Sequence, residues 1–319
     1  MPRFKIHHRT KYTYESPVRD SANQIVLFPI KDEYQEVLKD ELKITGDPEL
    51  EIFKDFYGNE IGSFMRAEPH EELIIDSKIE VITKLRPEPV DSLPSIEQWE
   101  QLLQLRFQAP YIDFLKQEQF DALEELKQVA ISSQNKGITP LSASLELTGF
   151  VFKNFKYIKG VTNVETTLDE IWKIKAGVCQ DFAHILLMML RMIHIPSRYV
   201  SGYICPGVGG MRGEGATHAW VEAYIPFYGW IGFDPTNNCI TAGNHVRLAV
   251  GRNFSDCSPV KGTYKGQSSH VLEVSVSVSY EDGRTTEDEN TVLTTQPSKN
   301  KAEQNSYRRY MEMMQQQQQ

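Results

Sequence analysis

Three residues in the second half of this sequence have types and settings suited to acyl chemistry. Cys179 lies in Ala176-Gly-Val-Cys-Gln-Asp-Phe-Ala-His184, at the start of an apolar helical stretch. A helix N-terminus carries unpaired N–H groups and the positive end of the helix dipole, so it favours an anion. Cysteine attacks as the thiolate, and the same amides can hold the oxyanion formed when sulfur adds to a carbonyl. His218 lies in Ala216-Thr-His-Ala-Trp-Val-Glu222, on a predicted strand, and Asp234 in Gly232-Phe-Asp-Pro-Thr-Asn-Asn238, where Pro235 ends the next strand. A Cys–His pair needs a third group to fix the ring's tautomer, and Asp234 can accept that ring N–H. Each residue also has a structural reading: a small buried thiol, a packed strand histidine and an Asp-Pro turn.

The elements that must position these residues read as two units. Residues 1–86 form a β-rich module, with period-2 alternation from Phe4 to Tyr14 that Glu15-Ser-Pro17 is expected to end. Leu50–Phe56 and Ile61–Met65 read as a hairpin about Tyr57-Gly-Asn-Glu60, and Leu73–Leu85 as a further strand. The expected form is an antiparallel, sandwich-like module. Pro87, Pro89 and Pro94 mark a linker over 87–97, and residues 98–280 form an α+β core with its helices first. Ser95 is the expected cap of the first helix, with Gln98 three positions on. The pattern predicts helices over 118–134, 140–155 and, apolar nearly all round and so central, 179–194. Strands follow near 197–204, 217–225 and 229–234. The glycine-rich stretch 206–216 reads as a mobile cover beside the site, and 281–319, ending in five glutamines, as a disordered tail.

Composition narrows the partners. With 34 basic against 43 acidic side chains, the net charge of −9 disfavours nucleic acid or an anionic membrane. No apolar run is long enough to span a bilayer and no signal peptide is evident, so a cytoplasmic location is expected. The four cysteines (179, 205, 239, 257) contain no Cys-x-x-Cys pair. That excludes a zinc ribbon or thioredoxin reading and suggests reduced thiols. Cys205, Cys239 and Cys257 are expected to be inert. Neither a metal nor another cofactor is expected, and no calcium loop is found.

Taken together, Gly177-Val-Cys-Gln-Asp-Phe-Ala-His184, Pro196-Ser-Arg-Tyr-Val-Ser-Gly-Tyr203, Thr217-His-Ala-Trp-Val-Glu222 and Trp230-Ile-Gly-Phe-Asp-Pro-Thr-Asn-Asn238 resemble the bacterial transglutaminase-like family. The likeness continues through His245-Val-Arg-Leu-Ala-Val-Gly-Arg-Asn253 and Pro259-Val-Lys-Gly262, and reaches back to the β-rich start, so it covers about 1–280. The resemblance implies a papain-like α+β core in which Cys179 attacks an acyl group, His218 shuttles the proton and Asp234 orients His218. It implies a cysteine-dependent acyl-transfer enzyme, a protease or amidase, acting on a protein or peptide. The alternatives are a protein-glutamine γ-glutamyltransferase and, in another class, a non-catalytic binding or scaffold protein. His184 reads as structural, Asp181 as electrostatic support of the helix start, and the Trp172 indole N–H as one option for a second oxyanion donor.

Overall fold

The computed structural model describes residues 1–134, 137–163, 166–205, 211–213 and 216–280. The chain opens on β1 (Arg3–Ile25), β2 (Gln35–Ile44), β3 (Glu51–Lys54), β4 (Glu60–Arg66) and β5 (His70–Thr83), an antiparallel sheet ordered β2-β5-β1-β4-β3. β1 runs straight through the expected stop at Pro17. Its pairing with β5 breaks off after Thr13↔Glu72 and resumes at Val18↔His70. Proline has no N–H to give a ladder, so this bulge bends the strand without ending it. The far half, Ser21 to Ile25, can then pair with β4. β2 escaped the sequence reading because most of its side chains are exposed and carry no apolar alternation.

The helical segment holds α1 (Ser95–Leu105), α2 (Leu123–Gln134), α3 (Pro140–Asn154), α4 (Leu168–Ile174) and α5 (Cys179–Met192). At α1 the capping position is Pro94, and Ser95 is already helical. Gln98, expected to close a capping box, instead donates to Asp91 and to the Leu93 carbonyl. The capping box is found at α4, where Thr167 accepts from Glu170 N–H and the Glu170 carboxylate accepts from Thr167 N–H. Two short parallel strands, β6 (Lys156–Tyr157) and β7 (Ala176–Gly177), lead the chain into α5.

Behind α5 stands a five-stranded sheet, ordered β11-β10-β9-β8-β12: β8 (Ser197–Ile204), β9 (Thr217–Ile225), β10 (Gly229–Asp234), β11 (Cys239–Ile240) and β12 (His245–Gly251). Phe182, Ile185, Leu186 and Met189 of α5 share one core with Ala219, Val221 and Ala223 of β9 and with Leu126 and Leu147 of α2 and α3. That encirclement explains the helix's apolar circumference. Tyr203, Val246 and Leu248 belong instead to the core of the first sheet, beside Phe4, Ile6 and Ile75. Both faces of the second sheet are therefore covered.

The edge strand β12 is closed off by two amide side chains of the N-terminal module. Gln35 donates to Arg247 O and accepts from Arg247 N–H, at 2.8 Å each. Asn59 does the same for Val250, at 2.7 and 2.8 Å. Each stands in for a neighbouring strand and removes an edge open to other chains. After α6 (Phe254–Cys257), β13 (Val260–Lys265) and β14 (His270–Tyr280) return to β1. The sequence reading kept residues 260–280 with the second unit; Val276 and Val278 bury with Phe4 and Ile6 because β1 has an edge left to fill. Residues 206–210, 214–215 and 281–319 lie outside the described residues, and with them most of the glycine-rich stretch and the whole polar tail. Among the described residues no helix is long and apolar enough to cross a membrane.

Candidate active site

Cys179 is the first residue of α5, directly after the β7 bridge. The first helical hydrogen bond runs from Phe182 N–H to Val178 O, so the amides of Cys179 and Gln180 precede the ladder. The helix start is fixed by Asp181, whose carboxylate accepts from Val178 N–H at 2.7 Å and from the Thr162 hydroxyl at 2.6 Å. Burial raises the Asp181 pKa, with those two hydrogen bonds pulling the other way. Its contacts are thus internal, as an N-terminal support requires. Gly177 is dictated by the same packing: a Cβ there would overlap the Asp181 carboxylate and lie 2.8 Å from its Cβ and Cγ.

His218 stands near the start of β9 and Asp234 at the end of β10, both fully inside the protein. His218 Nε2 and Asp234 Oδ2 are 2.9 Å apart. With Nε2 committed to Asp234, the nitrogen left for the Cys179 thiol is Nδ1, and the sulfur is close enough to raise the ring's proton affinity. Nδ1 is buried and makes no formed hydrogen bond. Gly213, in the left-handed region at φ 83°, covers it, and a Cβ there would be 3.1 Å from Nδ1. Burial alone would disfavour a charged ring, but the Asp234 carboxylate and then the Cys179 sulfur outweigh it, so the His218 pKa rises. Burial likewise opposes ionisation of Asp234, and its two histidine neighbours overcome this and lower its pKa.

Asp234 is the most heavily bonded group of the site. Oδ1 accepts from the backbone N–H groups of Thr236 (2.9 Å) and Asn237 (3.3 Å), the turn that Asp-Pro-Thr-Asn makes. Oδ2 faces His218, the Asn237 side-chain amide at 2.7 Å, and His245 Nε2 at 3.3 Å. The turn reading and the carboxylate–imidazole reading of Asp234 therefore describe one arrangement. His218, Asp234 and His245 are also the group, among the described residues, whose donor atoms lie within 4.8 Å of one another. Two hydrogen bonds to one carboxylate oxygen account for that closeness.

Sequence reasoning gave no role to His245 or Asn237. The signal for Asn237 was its place in the Asp-Pro-Thr-Asn-Asn turn. For His245 the signal was only its place at the head of the family-like stretch His245–Asn253, and nothing in that stretch points to Asp234. Other candidates resolve plainly. Trp172 Nε1 donates to Glu125 at 2.8 Å and is not aimed at Cys179. His184 Nε2 accepts from Phe254 N–H, a tie between α5 and α6. Cys205 and Cys257 are buried, and burial pushes both thiols well up. Cys239 is pushed up to about 12 by burial and the Asp234 charge. On β9, Glu222 is fully buried, but Arg198 (2.6 Å) and Arg247 (3.6 Å) outweigh the burial and hold its pKa down at about 2.

Comparison with known proteins gives consistent results. The sequence profile of the transglutaminase-like superfamily matches residues 127–235, and that of the bacterial transglutaminase-like N-terminal region matches residues 4–82. An uncharacterized protein of Mycobacterium leprae is 30% identical over 282 residues, spanning 87% of this chain and 99% of its own. The crystal structure of a candidate cysteine protease from Cytophaga hutchinsonii superposes with a TM-score of 0.70 at 25% identity, over 89% of this chain and 92% of that one. A protein-glutamine gamma-glutamyltransferase of Pseudomonas aeruginosa is 31% identical over 84 residues, only 12% of its length. The chain belongs to the transglutaminase-like superfamily, with the bacterial transglutaminase-like N-terminal region ahead of the core.

Proposed function

We propose that this protein is a cysteine-dependent acyl-transfer enzyme that opens an amide through a thioester on Cys179. The observation that carries this reading is the His218 ring, held by Asp234 at 2.9 Å on Nε2 with Nδ1 left for the thiol at the start of α5. His218 Nδ1 takes the Cys179 proton, and the sulfur adds to the substrate carbonyl carbon. The first-turn amides of α5 hold the resulting oxyanion. The C–N bond then breaks, the departing amine takes the proton from Nδ1, and the acyl group remains on sulfur. Asp234 keeps the Nε2–H tautomer and stabilises the imidazolium formed in both steps.

The acyl acceptor in this reading is water, whose attack on the thioester restores the thiol and releases a carboxylic acid. The substrate is a protein or peptide. The local likeness to a γ-glutamyltransferase motivates a second acceptor, a primary amine. Incubation with a peptide library, with and without added amine, separates these by mass. Gain of one water at a broken peptide bond supports a protease, gain of about 1 Da on glutamine a deamidase, and amine incorporation a transglutaminase. No product in any arm, together with Cys179 labelling no faster than the other half-buried thiol, Cys239, would leave the scaffold reading and overturn this one.

A further inference from the structure

We infer that His245 is a positioning residue of this site: its Nε2–H holds the Asp234 carboxylate in the orientation that serves His218, extending Cys179–His218–Asp234 to a four-membered chain. The inference rests on the functional reading above and goes beyond it in adding a second ring to the Thr236 and Asn237 donors that already hold Asp234. Three observations carry it. His245 Nε2 lies 3.3 Å from the same Oδ2 that meets His218. Nε2 faces a carboxylate oxygen that can only accept, and Nδ1 of His245 accepts from Ala242 N–H at 3.2 Å, which together place the ring's proton on Nε2. The ring is held by packing, edge to face against Trp220 with centroids 5.2 Å apart.

Charge keeps the two histidines in different states. One carboxylate lies between two rings, and only one imidazolium can be matched by it. Burial comes first in lowering the His245 pKa, and the His218 charge lowers it further against the pull of Asp234. On the other side of His245, a narrow cavity between the two modules is lined by Lys84, Arg86, Arg247, Glu222 and Tyr34. The Arg247 and Arg86 charges there are met by Asp32 and Glu222, so that side adds no counter-charge for a second imidazolium. His245 therefore acts as a neutral donor. It orders the acceptor without competing for the proton that His218 carries. The Asn244 side-chain oxygen lies 3.0 Å from Nδ1, and its NH2 donates to the Met211 sulfur and the Cys205 carbonyl. That oxygen accepts from Nδ1 only in a ring protonated there, a state that ¹⁵N imidazole spectra distinguish.

The test compares His245→Leu with His245→Gln in the full chain, reading the rate of Cys179 carboxymethylation from pH 5 to 9. Loss of one donor to a charged acceptor slows the Leu variant at pH 7 by roughly five- to thirtyfold and moves its profile to higher pH. Gln, which keeps an N–H at comparable reach, restores most of the rate. A Leu variant with the wild-type profile overturns the inference, as does a Gln variant impaired as much as Leu. Should the Leu variant not fold, ¹⁵N imidazole spectra of the wild-type protein decide. A neutral ring protonated on Nε2 supports the inference, and an Nδ1–H or doubly protonated ring at pH 7 overturns it. Failure of the functional reading looks different: wild-type Cys179 would then label no faster than the other thiols, whatever the state of His245.

Discussion

Replacing Asp234 by asparagine tests the link on which the proposed chemistry depends. The substitution preserves size but sets an NH2 among donors whichever way it turns. Placed at Oδ2 it opposes His218, His245 and the Asn237 amide; placed at Oδ1 it opposes the N–H groups of Thr236 and Asn237. For a full charge pair at 2.9 Å, Coulomb's law gives roughly 6 kcal/mol at an effective dielectric of about 20, an upper limit. If the asparagine oxygen stays on the ring, a neutral hydrogen bond survives and the loss falls toward about 1.5 kcal/mol. Catalysis and thiol alkylation should therefore drop by at least roughly tenfold, and an intermediate loss of about 4 kcal/mol corresponds to roughly a thousandfold, less than on removing the sulfur. The alkylation profile should also move to higher pH, because the imidazolium no longer has its counter-charge.

Stability supplies an independent reading of the same variant. His218 is raised, so its contribution is complete below its unfolded pKa of about 6.5 and fades as pH climbs through the folded value. Asp234 is lowered, so its contribution is complete above about 3.9 and fades as pH falls through the folded value. The difference in melting temperature between wild type and Asp234→Asn should be largest between about pH 4 and 6.5. Unchanged alkylation rate and profile, with a pH-independent melting difference, would reduce Asp234 to a turn residue and refute the reasoning.

Further outcomes follow from the same geometry. Brief iodoacetamide treatment should give a single adduct on Cys179, with Cys205 and Cys257 shielded by burial; peptide mapping checks this, and Cys179→Ala should show neither the adduct nor turnover. Gly177→Ala should force Asp181 off Val178 N–H, costing about 1–3 kcal/mol in urea titrations and slowing Cys179 labelling as the helix start shifts. Thr167→Ala should cost about 1 kcal/mol through the lost capping box of α4, seen in the urea midpoint, while leaving the labelling rate unchanged.

The local rules of the chain were readable without coordinates. The 179–194 stretch is apolar on all sides, so it had to be a central helix, and its first residue had to meet unpaired amides. Strands expected near 197–204, 217–225 and 229–234 are β8, β9 and β10, short segments with Pro196 before the first and Pro235 after the last. The motif around each of Cys179, His218 and Asp234 identified them as candidates by residue type and setting. Tertiary structure decided what pattern cannot encode. The bulge at Pro17 let one strand serve two pairings, and the return of β13 and β14 filled its edge from the far end of the chain. Gln35 and Asn59 read as ordinary polar residues until they met the backbone of β12 across some 190 to 210 positions. His245 meets Asp234 where the chain, after β11 at one edge of the sheet, crosses to begin β12 at the other. Periodicity is set by neighbours in sequence; such contacts depend on which surfaces meet, and that is determined by the packing of the whole chain.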